Sequence, residues 1–124
     1  MKIYCGTDII EIERIRESIE NMGNSFINRI YTENEIKYCE ARGKQKYQHY
    51  AARFAAKEAA FKAVSGQIDD KYNVCWKDFE VTNDEQGRPS IKLVGIDEKS
   101  IENIDISISH CKKYAVANVT VLYK

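Results

Sequence analysis

One alanine-rich stretch constrains the fold of this chain more than any other: residues 53–63 read RFAAKEAAFKA. Alanine has the highest helix propensity, so the stretch predicts a helix. Its charged and aromatic residues fall on two adjacent lines of that helix: Phe54, Glu58 and Lys62 on one, and Arg53, Lys57 and Phe61 on the other. The small alanine side chains allow another group to approach the helix closely.

Basic residues are concentrated around this helix. Residues 42–62 hold a single acid, Glu58, and the following basic residues: Arg42, Lys44, Lys46, Arg53, Lys57 and Lys62. Glu58 and Lys62 have the i,i+4 order of a surface ion pair, which contributes about 0.2 to 0.5 kcal/mol. In a chain of zero formal net charge, the local excess instead favours a phosphorylated ligand, with the carboxylate available to a metal. The helix alone leaves both interpretations open.

Composition excludes several classes of protein. A chain of 124 residues, 44% hydrophobic and 31% charged, is typical of one globular domain spanning residues 1–124. Neutral net charge argues against a general nucleic-acid or membrane-surface binder. Residues 1–6 lead directly into charged sequence without the apolar stretch of a signal peptide, and the apolar segment 114–123 is too short to span a bilayer. We therefore expect a cytoplasmic protein with no membrane partner.

The four cysteines, Cys5, Cys39, Cys75 and Cys111, lie far apart and form no C-x-x-C pair. That spacing fits neither a zinc site nor a redox motif. We expect reduced thiols, most of them buried as small apolar side chains, with the role of Cys111 open because it follows His110.

The periodicity of the chain predicts a mixed fold. Helices are expected at 13–21, 25–30, 32–43 and about 45–64, with one further helical turn at 97–103. Strands are expected at 3–12, 76–81, 90–94, 104–109 and 114–123, with a turn at 83–89. A capping box of Thr32 and Glu35 marks the start of the third helix. The predicted class is α+β, with an amino-terminal strand and helices packed on a mainly antiparallel sheet.

Asp8 interrupts the apolar first strand. A lone aspartate in such a strand costs free energy unless it is exposed, hydrogen-bonded or bound to a cation. Asp8 is therefore either a strand-edge residue or a ligand, and the strand by itself does not decide between them.

Three separated stretches coincide in order: GTDIIEIERI at 6–15, RFAAKEAAFKA at 53–63 and SISH at 107–110. Together they resemble the holo-[acyl-carrier-protein] synthases, a family of small 4'-phosphopantetheinyl transferases. The resemblance covers the whole chain. It depends on the motif G-x-D near the start combined with the motif F-x-x-K-E-A-x-x-K, which follows a stretch rich in basic residues. It implies the fold of that family and the transfer of phosphopantetheine from coenzyme A to a serine of apo acyl carrier protein, in fatty acid biosynthesis.

The resemblance also implies a magnesium-dependent reaction that releases adenosine 3',5'-bisphosphate. Asp8 and Glu58 match the family's metal ligands, and two carboxylates with waters and phosphate oxygens suit octahedral Mg²⁺. Lys62 matches the lysine that faces the phosphates, so Asp8, Glu58 and Lys62 are the expected catalytic residues. The proton acceptor is either Glu58 or a water on the metal.

Further residues are assigned to coenzyme A by the same resemblance: Arg53, Lys57 and Lys62 at its phosphates, Gly87, Arg88 and Pro89 beside the adenine, and Ser109 and His110 near the 3'-phosphate. In the family the last two come from a neighbouring subunit of a trimer. We therefore expect a homotrimer with active sites between subunits, and with alanines of the long helix making room for the pyrophosphate.

Arg14 corresponds to the arginine that docks the acidic carrier protein. Residues 17–24 depart from the family in having two acids and no base, so docking is expected to use Arg14, Arg16 and Arg29. Residues 65–75 carry fewer glycines and more acid than the usual loop, which leaves the pantetheine contacts unassigned.

The main alternative is a non-catalytic module that binds coenzyme A or acyl carrier protein, since the basic residues would serve it equally. Asp8 argues against it, because an anion binder gains nothing from two carboxylates unless a cation lies between them. An RNA-binding domain is a more distant alternative, disfavoured by the zero net charge. The sequence does not distinguish which carrier protein is preferred or whether acylated coenzyme A is accepted.

Overall fold

The structure, a computed structural model, describes residues 1–67 and 74–124, except for the side chain of Gln67. Its helices are α1 (Ile12–Met22), α2 (Asn24–Ile30), α3 (Glu33–Glu40) and α4 (Lys46–Val64). Its strands are β1 (Lys2–Glu11), β2 (Phe79–Asn83), β3 (Pro89–Leu93), β4 (Ile101–His110) and β5 (Tyr114–Tyr123). Short 3-10 turns lie at Gly43–Gln45, Ser65–Gln67 and Trp76–Asp78.

All strand pairs are antiparallel, in a three-stranded sheet of order β1-β5-β4 and a two-stranded sheet of β2 and β3. The predicted α+β class is therefore confirmed. Helix α4 lies across one face of the three-stranded sheet, where it packs mainly on β1 and β5. Within the described residues, no helix has the length and apolar character needed to cross a membrane.

Local signals account for the boundaries of the amino-terminal helices. Helix α1 ends at Gly23, whose φ of 58° suits glycine, and the Gly23 N–H donates to the Ile19 carbonyl. The predicted capping box is present at α3: the Glu35 N–H donates to Thr32 Oγ1 at 3.3 Å, and the Thr32 N–H donates to Glu35 Oε1 at 2.9 Å. Each of these interactions spans at most four residues, which is why sequence patterns could predict them.

Two boundary predictions were wrong. The strand expected from Trp76 begins only at Phe79, because the Cys75 N–H donates to Asp78 Oδ2 at 2.7 Å and closes a turn there. The helical turn expected at 97–103 is not formed: β4 already begins at Ile101, which pairs with Tyr123 of β5. Strand pairing with a distant segment overrides the weak local preference in that stretch.

The alanines of α4 belong to the core of the chain. Seven of them are at most 5% exposed: Ala51, Ala52, Ala55, Ala56, Ala59, Ala60 and Ala63. These small side chains let α4 lie close to the sheet. Gly6 of β1 lies opposite them, and an added Cβ at Gly6 would be 1.9 Å from the Ala59 carbonyl oxygen. The close approach allowed by alanine is thus between helix and sheet, which corrects the expectation that these residues make room for a pyrophosphate.

The three-stranded sheet also has an outer face, turned away from α4. Along β1 its odd-numbered residues lie there, including Ile3 and Ile9, which are 68% and 62% exposed. Opposite them on β5 are Leu122, Val116 and, beside Glu11, the exposed Tyr114. This outer sheet face carries exposed apolar residues beside polar ones such as Thr7, Asn118 and Thr120, and no described element of the chain covers it.

The cysteines are all reduced, as expected, but their burial was predicted wrongly. Only Cys39 is buried, and burial raises its pKa to about 12. Cys5 lies on the outer sheet face, Cys75 is exposed before β2, and Cys111 is exposed in the turn between β4 and β5. Backbone hydrogen bonds lower the pKa of Cys111.

Candidate functional site

Asp8 and Lys62 meet where β1 crosses α4. Asp8 pairs with the buried Ala117 of β5, so strand alternation turns its side chain toward the helix. The Lys62 ammonium donates to the Thr7 carbonyl at 3.0 Å and to Asp8 Oδ1 at 3.3 Å. The Asp8 side chain is 18% exposed and the Lys62 side chain 50%, so this ion pair remains open to solvent on one side.

Glu58 lies one helical turn before Lys62 and is half-buried. Burial raises the pKa of Glu58, the nearby negative charge of Asp8 raises it further, and the charge of Lys62 opposes both effects. The negative charges of Asp8 and Glu58 repel each other, and we call these two side chains the carboxylate pair. A divalent cation would relieve that repulsion.

The carboxylate pair fits a magnesium ion by the chemistry of its donors. Mg²⁺ usually takes one or two protein carboxylates and completes its octahedral shell with waters and phosphate oxygens. Residues 1–67 and 74–124 contain no group of three or more histidine, cysteine, aspartate or glutamate side chains that could hold a metal. A site built from Asp8 and Glu58 would therefore depend on substrate and water for its other ligands.

A cavity of about 210 Å³ opens beside Glu58. Its walls include Lys57, Phe61, Trp76 and Phe79, and Phe54 stacks on Trp76 with ring centroids 4.8 Å apart. The cavity is mostly apolar apart from its two charged residues. The unassigned pantetheine contacts at 65–75 fall largely on residues 68–73, which lie outside the described residues.

Lys57 is 1% exposed and lies inside the chain. Its ammonium is 2.5 Å from Glu35 Oε1 and donates to the carbonyl oxygens of Ile30 at 2.7 Å and Trp76 at 3.2 Å. An ammonium has three donors, so all of them are satisfied internally. Burial lowers the pKa of Lys57, and the charge of Glu35 opposes that effect. Contact of Lys57 with coenzyme A stays a prediction, and it would have to replace one of these partners.

Arg53 is also buried, at 2% exposure, but its hydrogen bonding is incomplete. Nη2 donates to Asn83 Oδ1 at 2.7 Å, and the guanidinium carbon lies 4.1 Å from the centre of the Tyr38 ring. Nε is buried and has no hydrogen-bond partner in the part of the chain that the structure describes. A buried donor without a partner costs free energy, so the guanidinium of Arg53 is not fully satisfied by the described residues.

A second cavity, of about 190 Å³, lies beside Arg53, and we call it the histidine cavity. Its walls include Tyr38, His49, Arg53, Gly87, Pro89 and His110. Arg53, Gly87, Pro89 and His110 were each predicted as coenzyme A contacts, and they meet here within a single chain. Their roles in binding remain predictions, but their proximity is a feature of the fold.

The turn at 83–89 is shaped by its own side chains. Asp84 Oδ1 accepts from the N–H groups of Gln86 and Arg88, both at 2.9 Å, and Gly87 adopts a φ of 85°. Asn83 donates through Nδ2 to the Gly87 carbonyl at 3.0 Å while it accepts from Arg53. Asn83 therefore holds the turn against α4.

Besides Lys57 and Lys62, two more of the predicted coenzyme A residues do not line the histidine cavity: Arg88 and Ser109. Arg88 is exposed, with Nη2 3.6 Å from Asp105 Oδ2. Ser109 pairs with Val116 on the outer sheet face, whereas its neighbour His110 points to the opposite face and into the cavity. Ser109 and His110 of one chain therefore do not converge on the same point.

The arginines expected to dock a carrier protein differ in their surroundings. Arg14 and Arg29 are exposed on α1 and α2. Arg16 is paired with Glu20 at 3.0 Å and with Glu13 at 3.8 Å, so part of its charge is already offset. Of these three side chains, Arg16 offers the least uncompensated charge.

Sequence reasoning missed three residues that shape these sites: Glu35, His49 and Asn83. Glu35 was read only as a helix cap, although its second oxygen accepts from the Val81 N–H at 2.8 Å. His49 precedes Arg53 by four residues on a helix, a spacing that places both side chains on one face. That spacing was the available signal for His49, and no comparable signal pointed to Asn83.

Known proteins share both the sequence and the fold of this chain. Residues 4–119 match the family described as the 4'-phosphopantetheinyl transferase superfamily. A holo-[acyl-carrier-protein] synthase of Ruminiclostridium cellulolyticum is 44% identical, over 98% of this chain and 92% of that protein. The crystal structure of such a synthase from Bacillus anthracis, in complex with CoA (3',5'-ADP), has a TM-score of 0.76 at 38% identity and covers 98% of this chain and 96% of that one.

A further solved structure, the Helicobacter pylori synthase in complex with coenzyme A, has a TM-score of 0.81 at 29% identity, covering 95% of this chain and 99% of that one. The family match spans nearly the whole sequence, and the relatives agree with it in both length and fold. This chain therefore belongs to the 4'-phosphopantetheinyl transferase superfamily.

Proposed function

We propose that this protein is a holo-[acyl-carrier-protein] synthase, which transfers 4'-phosphopantetheine from coenzyme A to a serine of apo acyl carrier protein. Relatives of that name align over almost the full length of the chain, and related structures contain coenzyme A. The observation that carries the proposal is the meeting of Asp8 with Lys62 beside Glu58, because it joins two carboxylates and a lysine at one point.

In the proposed reaction the serine hydroxyl attacks the phosphorus next to the pantetheine arm, and the bond to adenosine 3',5'-bisphosphate breaks. Lys62 is held by the Thr7 carbonyl and Asp8, with half of its side chain exposed, so it can offset charge on the departing phosphate. The proposed acceptor of the serine proton is Glu58 or a water held beside it.

Asp8 and Glu58 would hold a magnesium ion, which would offset the charge of the pyrophosphate oxygens. Support comes from the raised pKa of Glu58, since two carboxylates that repel each other gain from a shared cation. The Lys62 ammonium next to Asp8 would then turn toward the phosphates.

The histidine cavity is the proposed site of the nucleotide end of coenzyme A. Arg53 contributes a buried cation with an unpartnered Nε, and Tyr38 and His110 add polar surface beside it. Gly87 and Pro89 form the other wall, where the absence of a side chain at Gly87 lets a ring approach the backbone. Phosphate and adenine groups both find suitable chemistry in this cavity.

We propose that the active site lies between subunits of a homotrimer. Arg53 and Glu58 are five residues apart on α4, which rotates their side chains by about 140° and shifts them by about 7.5 Å along the axis. The histidine cavity and the carboxylate pair of one chain therefore face different directions, and the cavity of one subunit would serve the carboxylate pair of the next. The outer sheet face, with exposed Ile3 and Ile9, is the proposed contact surface.

One assay tests the reaction directly. Apo acyl carrier protein incubated with coenzyme A, Mg²⁺ and this protein is expected to gain the mass of one phosphopantetheine group, and a chelator is expected to prevent the gain. Glu58→Gln should lose transfer but keep carrier binding, whereas Glu102→Gln, at an exposed glutamate of β4, is the matched control. Binding of both partners with no change in mass would favour the non-catalytic module.

We also propose that residues 1–124 act as one domain in the cytoplasm. Among the described residues, the buried apolar side chains form two clusters, one that includes Ala59 and one that includes Tyr31. Ile10 and Ile108 pack against both clusters, which supports a continuous core. Four reduced cysteines suit a reducing compartment. Cell fractionation tests the cytoplasmic location. Thermal unfolding tests whether residues 1–124 form one domain, since a single domain is expected to unfold in one cooperative transition.

A further inference from the structure

We propose that His49 is a further binding residue of the histidine cavity, where it takes up a proton when a phosphate monoester binds opposite His110. The inference rests on the proposed function, because it assigns the nucleotide end of coenzyme A to this cavity. It adds a residue from α4 to the phosphate site and predicts that selectivity for the 3'-phosphate depends on pH.

The geometry places His49 at the centre of a cluster. Its ring lies 6.4 Å from the His110 ring and 5.5 Å from the Tyr38 ring, measured between centroids. Arg53 is one turn farther along α4 and lines the same cavity. A phosphate that accepts from both imidazoles would lie in the cavity beside them, where Arg53 forms part of the same wall.

Among residues 1–67 and 74–124, the groups whose positive charge lowers the pKa of His49 are Arg42, just after α3, Arg53 on α4 and, when protonated, His110 on β4. The Tyr38 ring of α3 packs against the His49 ring. Burial and these charges lower the pKa of His49. In the free protein the imidazole is therefore largely neutral at neutral pH, where it adds no charge to an already cationic cavity.

A bound phosphate reverses this balance. Its negative charge favours the imidazolium and raises the pKa of His49 in the complex above that in the free protein. Between the two pKa values, binding takes up a proton, so affinity rises as pH falls through the pKa of the complex. Below the pKa of the free protein, His49 is charged in both states and the dependence ends.

The test compares coenzyme A with 3'-dephospho-coenzyme A, which lacks only the phosphate in question. Calorimetry on the intact oligomer between about pH 5.5 and 8 measures both affinities across the range in which histidine titrates. We expect the preference for coenzyme A to rise about tenfold toward acid pH relative to His49→Gln, since one pKa unit corresponds to a factor of ten. The 3'-phosphate itself titrates near pH 6, but this effect is common to both proteins and cancels.

Three outcomes decide the proposal. A flattened preference in His49→Gln supports it, and an unchanged profile in that variant overturns it. If His49→Gln does not fold, NMR titration of the wild-type imidazoles, assigned with His110→Gln, replaces the comparison: a pKa of His49 that does not rise with coenzyme A overturns the inference. Wild-type protein that binds coenzyme A but transfers nothing to a carrier protein would instead refute the proposed function alone.

Discussion

Among the glycines of the chain, Gly6 is the one that lies closest to the backbone of a neighbouring element, where β1 approaches α4. An added Cβ would lie 1.9 Å from the Ala59 carbonyl oxygen and 2.9 Å from both the Ala59 carbonyl carbon and the Ala63 nitrogen. All three are backbone atoms of α4, so no side chain can move away. Ordinary contact with a Cβ begins near 3.4 Å, and we therefore expect Gly6→Ala to push β1 and α4 apart by more than 1 Å, roughly, at their closest approach.

The cost of that separation can be estimated from packing. A gap of about 0.5 to 1 Å already removes a quarter to a half of the dispersion energy of each contact across it. The affected neighbours are Ala59, Ala63 and Val119, all of which are buried. Overpacking a core costs typically 1 to 3 kcal/mol, and because rigid backbone is involved we expect about 3 kcal/mol, or a drop in Tm of roughly 10 °C.

Thermal and denaturant unfolding at one fixed protomer concentration measure this effect, because an oligomer's stability depends on concentration. Gly66→Ala is the matched control: an added Cβ there meets no atom of the described residues within 4 Å, and the backbone does not need glycine. The control is expected to change stability by less than about 1 kcal/mol. A Gly6→Ala protein as stable as the control would refute the argument for a close approach. Asp8 follows Gly6 by two residues, so Gly6→Ala should also displace Asp8. Transfer activity is therefore expected to decrease even at temperatures at which the variant is still folded.

Two further predictions concern the carboxylate pair and the subunit contact. Transfer is expected to be lost as pH falls through the raised pKa of Glu58, because only ionised Glu58 binds a cation. NMR of carboxyl carbons in metal-free protein should show the pKa of Glu58 raised further in Lys62→Met and lowered in Asp8→Asn. No change of this pKa in either variant would contradict the assigned contacts. Ile9→Asp places a charge on the proposed subunit contact, so it should give a monomeric mass by light scattering and lose transfer. Val94→Asp, at a similarly exposed apolar residue outside the sheet, should stay trimeric. An active trimer of Ile9→Asp would place the subunit contact elsewhere.

Strand alternation could have separated two residues that sequence reasoning grouped. Ser109 and His110 are adjacent in β4, and adjacent residues of a strand point to opposite faces. His110 lines the histidine cavity, while Ser109 lies on the outer sheet face. If Ser109 contacts coenzyme A, it would do so from the outer sheet face, away from the histidine cavity of its own chain.

Interactions within a few residues were predictable from the chain itself. The capping box at Thr32, the end of the first helix near residue 21 and the strand at 114–123 each depend on local geometry, and each appears in the structure. The pattern G-x-D with F-x-x-K-E-A-x-x-K identified the superfamily, because these residues are specific in combination. Sequence alone thus determined most elements, the fold class and the family.

The surroundings of each charged residue were decided by tertiary structure. Lys57 and Lys62 look alike in the sequence, yet one is buried against Glu35 and the other lies half-exposed beside Asp8. The alanines between them face the sheet and not a ligand, because Gly6 lets β1 approach α4 closely. Burial and partner depend on segments distant in sequence, so only the packed chain shows which cation is structural and which is available for chemistry.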